Sequence, residues 1–116
     1  MGLFVRGDVV IVPFPFSDLS AAKRRPALML TNPEQDEYGD IILAQITSRS
    51  TTDTLAVEIS TDDFDSGMLR QTSNVRPNKL FTTSESVILY KAGNLQAEKL
   101  QEILLQVVSQ FEIEQK

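Results

Sequence analysis

Short apolar runs separated by polar turns occupy most of the chain, and a helical pattern follows near its end. Residues 8–14 are β-branched and apolar, which is typical of a strand buried on both sides or lying at a barrel corner, and Pro13 and Pro15 end its ladder. Further strands are predicted at residues 26–31, 41–47, 55–59 and 87–90, with a loop at 16–24, a turn or one helical turn at 62–67 and a weak extended segment at 68–76. Repeated short strands with little helix between them predict an antiparallel barrel or sandwich.

After Gly93 the spacing of apolar residues changes to three and four, which indicates an amphipathic helix with Asn94 as its predicted N-cap. The apolar stripe consists of Leu100, Ile103, Leu104, Val107, Val108 and Phe111. Leaving such side chains in water would cost roughly 1.5 to 3 kcal/mol each. We therefore expect the helix to cover an open side of the barrel.

The composition limits the chemistry that the chain can perform. With 116 residues, of which 41% are hydrophobic, residues 1–116 are expected to form a single domain. The sequence has no cysteine, which excludes disulfides, thiolate nucleophiles and sulfur-ligated metals. It also has no histidine, the commonest metal ligand and the usual acid-base residue near neutral pH. We expect no metal and no cofactor.

The charge of the chain argues against a broad nucleic-acid-binding surface, since the net charge is −5 at pH 7. Basic residues nevertheless cluster at positions 23–25 and again at Arg70, Arg76 and Lys79, so a local basic cleft is compatible with an acidic body. No apolar stretch approaches the ~20 residues of a membrane span, and the first residues do not resemble a signal peptide. We expect a cytoplasmic protein that does not bind membranes.

Arg25 and Thr47 are the candidate reactive residues, because each lies at the end of a predicted strand. A guanidinium offers forked donors to phosphate oxygens and a hydroxyl adds a neutral donor, so together they could hold a phosphodiester. Each residue also has a simpler interpretation: Thr47 would suit a strand end by β-propensity, and Arg25 would suit a surface ion pair. The combination points towards RNA.

Five segments of the chain resemble, in their order and spacing, the MazF/PemK toxin family. They are Arg6-Gly7-Asp8-Val9-Val10, Pro13-Phe14-Pro15-Phe16-Ser17-Asp18-Leu19, Lys23-Arg24-Arg25-Pro26-Ala27-Leu28, Gln45-Ile46-Thr47-Ser48 and Asn74-Val75-Arg76. The resemblance implies an SH3-like antiparallel β-barrel with a C-terminal helix, a homodimer, and the toxin of a type II toxin–antitoxin pair that cleaves single-stranded RNA at short sequences. A cognate antitoxin with an acidic, partly disordered segment is the implied protein partner.

The same resemblance assigns the catalytic roles to Arg25 and Thr47. Cleavage without metal would proceed by attack of the ribose 2′-OH on the adjacent phosphate, leaving a 2′,3′-cyclic phosphate and a 5′-OH. Because an arginine stays protonated, Arg25 suits transition-state stabilisation and proton donation rather than the role of general base, which stays unassigned. Thr47 would donate to a nonbridging oxygen.

Several other residues are expected to bind RNA, although the polar and charged ones would also be ordinary on a solvated surface, and at least one of the two phenylalanines named here would suit the core. They are Lys23, Arg24, Ser48, Arg49, Arg76 and Phe16, with Phe14 as a further residue that could stack on a base. The loop before Lys23 departs from the family, because many members carry a glutamate where this chain has Ser20. Asp18 is an alternative carboxylate there, although an Asx-turn is the simpler interpretation of it.

Two other functions fit the same architecture. A CcdB-type gyrase poison shares the barrel and helix and has no nuclease activity, and its function would lie on the dimer and the terminal helix. A catalytically inactive RNA-binding barrel is the other alternative. The Arg-Pro and Ile-Thr-Ser segments argue against the gyrase poison, and the inactive barrel is disfavoured less strongly. The cleavage sequence is not predicted.

Overall fold

In the computed structural model, which describes residues 3–14, 23–49 and 52–113, seven antiparallel strands form one sheet. The strands are β1 (Asp8–Phe14), β2 (Lys23–Met29), β3 (Asp40–Thr47), β4 (Val57–Ile59), β5 (Phe64–Gly67), β6 (Ser73–Ser84) and β7 (Tyr90–Leu95), and helix α1 spans Ala97–Ser109. Single 3-10 turns occur at Pro33–Gln35, Thr61–Asp63 and Glu85–Val87. The order of strands across the sheet is β4-β6-β3-β2-β1-β7-β5.

Strand β1 lies near the middle of the sheet, and its apolar sequence is explained by burial on both faces. Val9 belongs to one hydrophobic cluster, and Val10 and Val12 belong to a second. Because side chains alternate along a strand, these clusters lie on opposite faces of the sheet. The prediction of a strand buried on both sides at residues 8–14 is confirmed.

The first cluster, called here the helix-side core, shows that the sheet curls. It contains Val57 and Ile59 from edge strand β4 and Phe64 from β5, the strand at the opposite edge. Two edges can share one core only if the sheet between them is strongly curved. The architecture is therefore a half-barrel, and α1 covers its open side, as the sequence predicted.

The second cluster lies on the other face and is built around Val10, Val12, Ala27, Met29 and Leu43. Phe4 and Phe81 pack against it and are half-buried. The clusters thus give the central strands a packed layer on each side, which explains why they contain long apolar runs.

Helix α1 is held to the helix-side core by Ile103, which is fully buried, with Leu100, Leu104 and Val107 packed beside it. Nζ of Lys99 lies 3.0 Å from Oε1 of Glu102 and 3.7 Å from Oδ1 of Asp63, which joins the first helical turn to the turn before β5. The hydrogen bond to Glu102 and the charges of both carboxylates raise the pKa of Lys99.

Two expectations about the helix were wrong. Asn94 is not its N-cap, because Asn94 pairs with Asp8 as part of β7, and the cap is Gln96. Val108 and Phe111 do not join the buried stripe, since they are 63% and 64% exposed. The helix ends at Ser109, where Gln110 donates from Nε2 to the carbonyl oxygen of Pro77, 2.7 Å away.

Several predicted boundaries also differ from the structure. Strand β2 begins at Lys23, so Lys23 and Arg24 belong to a strand rather than to the predicted loop. Strand β6 extends to Ser84, well beyond the extended segment predicted at 68–76. The strand predicted at 87–90 meets β7 only at Tyr90, since β7 spans Tyr90–Leu95. The turn or single helical turn predicted at 62–67 agrees in part with the 3-10 turn Thr61–Asp63, but the rest of it is wrong because Phe64–Gly67 form β5.

A close approach of β5 to β7 explains the glycines that obscured these two strands. A Cβ atom added to Gly67 would lie 2.1 Å from the carbonyl oxygen of Ala92, and one added to Gly93 would lie 2.4 Å from that of Ser66. Glycine is therefore required inside this strand pair, although glycine is ordinarily a sign of a strand end. No helix among the described residues has the length and apolar character needed to cross a membrane.

Replacing Ile103 by Ala should lower the free energy of unfolding by about 2 to 5 kcal/mol, because it removes a fully buried side chain from beneath the helix. Gln101→Ala is the matched control, since Gln101 is exposed on the same helix, and it should change stability by no more than about 0.5 kcal/mol. Urea unfolding measures both values. Equal losses would contradict the placement of the helix.

Candidate active site

A cleft of ≈ 190 Å³ opens on the face of the sheet that carries the second core. Its polar lining comes from three strands: Arg25 from β2, Gln45 and Thr47 from β3, and Arg76 from β6. Its apolar lining consists of Val12, Phe14, Pro26, Ile46 and Phe81. The structure therefore brings the two predicted catalytic residues, Arg25 and Thr47, into one cleft.

The strand register explains how these two residues meet. Arg25 pairs with Val12 of β1, and on its other side β2 pairs with β3 through Ala27 and Gln45. Continuing the second register by two residues on each strand places Arg25 opposite Thr47. Residues opposite each other in an antiparallel pair point to the same face, so both side chains face the cleft.

Pro26 accounts for the opening between them. The pairing of β2 with β3 ends at Ala27, the residue next to Pro26, whose nitrogen carries no hydrogen for a ladder bond. With the ladder interrupted there, the ends of the two strands are not held together. The Arg-Pro pair thus supplies a guanidinium and, beside it, the break in hydrogen bonding that gives a ligand access to it.

The hydroxyl of Thr47 is oriented by the turn that follows it. Its Oγ1 accepts a hydrogen bond from the backbone N–H of Arg49 at 3.2 Å. A hydroxyl that accepts in this way retains its own proton as a donor. Thr47 can therefore present a donor to an anion in the cleft.

A bulge in β6, opposite the step from Ala44 to Gln45 of β3, brings the second guanidinium to the same cleft. Ala44 pairs with Leu80, but the next residue, Gln45, pairs with Arg76, so three residues of β6 are left out of the register. Such a bulge bends the strand and re-aims its side chains. Nη2 of Arg76 lies 3.7 Å from Oδ2 of Asp53, in the loop before β4.

The aromatic wall of the cleft is formed by Phe14 and Phe81. Their ring centroids are 5.6 Å apart and the rings are inclined at 49°. Aromatic faces beside positively charged groups are the arrangement on which unpaired bases of a single-stranded nucleic acid stack. The cleft thus combines donors for a phosphate with an apolar surface for a base.

Arg24 and Ser48 lie elsewhere. Each is the sequence neighbour of a cleft residue, so alternation turns it to the other face of the sheet, where both line a second recess of ≈ 570 Å³. Arg70, Tyr90 and Lys91 also line this recess. Nζ of Lys91 is 3.4 Å from Oδ1 of the buried Asp8, so part of the positive charge there is already neutralised.

The remaining predicted RNA-binding residues have varied positions. Lys23 begins β2 opposite Phe14 and is exposed, and Arg49 is exposed in the turn after β3. Arg25 itself is exposed. Phe16, Asp18 and Ser20 lie outside the described residues.

Sequence reasoning missed three residues at this site. Gln45 precedes Thr47 by two positions in the Gln-Ile-Thr-Ser segment, and strand alternation could have placed it on the same face. Phe81 and Asp53 gave no such signal, because their positions depend on the bulge and on a loop. Among the described residues, no three of the types His, Cys, Asp and Glu form a group that could hold a metal ion.

Comparison with known protein families identifies the class of protein. Residues 5–111 match the family model described as the PemK-like, MazF-like toxin of type II toxin–antitoxin systems. The match covers most of the chain, so this protein belongs to that toxin family. The resemblance inferred from the five segments is confirmed.

Solved structures show the same fold at low sequence identity. An endoribonuclease in complex with its cognate antitoxin from a mycobacterial species gives a TM-score of 0.74 at 14% identity, covering 97% of this chain and 99% of that one. A second mycobacterial endoribonuclease gives 0.71 at 17% identity, covering 96% and 93%.

MazF in the MazE–MazF complex of Deinococcus radiodurans gives a TM-score of 0.71 at 18% identity, covering 96% of this chain and 97% of that one. The predicted MazF-like antiparallel barrel with a C-terminal helix is therefore confirmed. No curated protein sequence matches the chain.

Proposed function

We propose that this protein is an endoribonuclease that cleaves single-stranded RNA at specific sequences without a metal ion. The observation that carries the proposal is the placement of Arg25 and Thr47, from two neighbouring strands, in one cleft beside an aromatic wall. Membership of the toxin family supports the same activity, as do the related folds whose names describe them as endoribonucleases.

In the proposed reaction the ribose 2′-OH gives its proton to solvent as its oxygen forms a bond to the adjacent phosphorus, and the bond from phosphorus to the 5′ oxygen of the next nucleotide breaks. The products are a 2′,3′-cyclic phosphate and a 5′-OH. Extra negative charge collects on the nonbridging oxygens in the transition state, and Arg25 stabilises it with two parallel N–H donors. Arg25 also gives a proton to the departing 5′ oxygen, because an alkoxide is more basic than a neutral guanidine.

Thr47 holds the phosphate for this attack by donating its hydroxyl proton to a nonbridging oxygen. Positioning matters as much as charge, since the 2′ oxygen must lie in line with the leaving oxygen. The backbone bond from Arg49 fixes the direction of the hydroxyl. Phe14 and Phe81 stack against a neighbouring base, and Gln45 offers an amide donor and acceptor to its edge.

The proposed partners are a cognate antitoxin and a second copy of the chain. An acidic antitoxin segment would complement Arg25, Arg76 and the basic residues at the start of β2, and the mycobacterial relative is described in complex with its cognate antitoxin. The CcdB-type alternative would leave the cleft without a function, so the cleft favours the nuclease.

The purified protein should cleave mixed-sequence single-stranded RNA equally well with and without EDTA. The mechanism uses a guanidinium and a hydroxyl rather than a Lewis acid, so a chelator has nothing to remove. End mapping should give 2′,3′-cyclic phosphates and 5′-OH groups. Cleavage that requires Mg²⁺ and leaves 5′-phosphates would overturn the mechanism, and RNA binding without cleavage would favour the inactive-barrel alternative.

Arg25→Ala should lower kcat by about 10²-fold or more, because it removes a preorganised donor from the transition state. Arg24→Ala is the matched control: it removes the same charge from the adjacent residue of the same strand, on the other face of the sheet. Its effect on kcat should be much smaller. If the two variants lose activity equally, general basicity rather than a positioned guanidinium explains the cleavage.

The protein should sediment as a dimer at micromolar concentration. Leu105, Val108 and Phe111 leave apolar surface exposed at the outer side and end of α1, and a second copy is the proposed cover for apolar surface that one barrel leaves in water. Analytical ultracentrifugation measures the mass directly. A monomer at that concentration would contradict the prediction.

A further inference from the structure

Asp53 is a carboxylate that the structure fixes in place, although it lies in a loop. Its Oδ1 accepts a hydrogen bond from the N–H of Leu55 at 2.9 Å, and its backbone carbonyl oxygen accepts one from the N–H of Ala56 at 3.2 Å. The side chain is only 13% exposed. An Asx-turn of this kind sets the direction of the second carboxylate oxygen, which points towards β6.

That second oxygen, Oδ2, faces the guanidinium of Arg76 at 3.7 Å from Nη2. Arg76 also lines the cleft that holds Arg25 and Thr47. Its Nε is buried and has no hydrogen-bond acceptor among the described residues. Asp53 therefore holds one end of the Arg76 guanidinium. The Arg76 side chain borders the cleft and still has N–H groups that can donate hydrogen bonds.

We propose that Asp53 is a positioning residue that holds Arg76 as a second guanidinium against the phosphate gripped by Arg25 and Thr47. The inference rests on the proposed nuclease function. A long arginine side chain loses much rotamer freedom when it is ordered, and a fixed carboxylate partner orders it before RNA arrives. Preorganised donors act most strongly where charge develops, which is in the transition state.

The pair has a second property, which makes the proposal testable. Asp53 and Arg76 together carry no net charge, so Asp53 cancels much of the attraction that Arg76 exerts on RNA from a distance. Removing only the charge of Asp53 should tighten ground-state binding of RNA, because the cleft becomes more positive. It should also slow cleavage, because Arg76 is no longer held in position.

Asp53→Asn is the variant that isolates the charge. Asparagine retains an oxygen that can accept the N–H of Leu55, so the turn is preserved. Asp65→Asn is the matched control, since Asp65 is exposed on edge strand β5 and its replacement changes the net charge by the same amount. Thermal unfolding followed by circular dichroism checks that every variant is folded.

Cleavage is measured on mixed-sequence single-stranded RNA, and binding is measured on the 2′-O-methyl form of the same RNA, which lacks the attacking hydroxyl. We expect Asp53→Asn to lower kcat by about ten- to a hundredfold without weakening binding. The reason is that a displaced Arg76 guanidinium stabilises the transition state less well. Asp65→Asn should leave kcat unchanged. If Asp53→Asn and Asp65→Asn both cleave at the wild-type rate, the proposal is wrong.

A double-mutant cycle with Arg76→Gln separates positioning from folding. In the Arg76→Gln background, Asp53→Asn should cause no further loss of kcat, because the group that Asp53 positions is absent. An equal loss in both backgrounds would overturn the proposal. If Arg76→Gln alone does not fold, the comparison of kcat between Asp53→Asn and Asp65→Asn still tests the proposal.

Failure of the proposed nuclease function can be distinguished from failure of the proposed role of Asp53. If the wild-type protein cleaves no RNA, the nuclease proposal fails, and the cycle is then scored on binding of the 2′-O-methyl RNA. A gain in affinity for Asp53→Asn that exceeds that of Asp65→Asn and disappears with Arg76→Gln would support the pair as part of a phosphate-binding cleft. Equal affinities would overturn it.

Discussion

The register of β2 determines which side chains reach the cleft. β2 is paired on both sides, to β1 through Val12 and Arg25 and to β3 through Ala27 and Gln45. Because the side-chain period of a strand is two, a slip of one residue would turn Arg25 to the other face and bring Arg24 to the cleft. The buried neighbours that follow Pro26 on this strand resist such a slip, since Ala27 and Leu28 fill different cores. Core packing on two faces thus specifies the position of one exposed guanidinium.

Those parts of the fold that obey simple periodicity were predictable from the sequence. β1 and β3 were located within a residue, and the terminal helix was found by its apolar spacing. The strands β5 and β7 were missed because the glycines at their contact, Gly67 and Gly93, are required by close packing rather than by a turn. Local sequence shows only that a glycine is present, and the neighbour that excludes a side chain lies far along the chain.

The site was predictable to the extent that it depends on strand ends. Arg25 was identified because it directly precedes a predicted strand, and Thr47 because it ends one; each also belongs to a segment shared with the toxin family. Asp53 was not, because its relation to Arg76 arises from a bulge in β6 and a loop anchored by its own turn. The separation of Arg24 from Arg25 follows from alternation alone, once β2 is known to begin before them. A cluster of basic residues in a sequence is therefore not a cluster in space.

The two cores lie back to back, and this arrangement has an evolutionary consequence. The helix packs on one face of the sheet, while the cleft opens on the other and shares Val12 and Phe81 with the second core. Substitutions on the outer side of the helix therefore change neither the cleft lining nor the register that sets it. The outer side of the helix can therefore vary in sequence without altering the cleft, so the two faces of this small scaffold are free to diverge at different rates within a lineage.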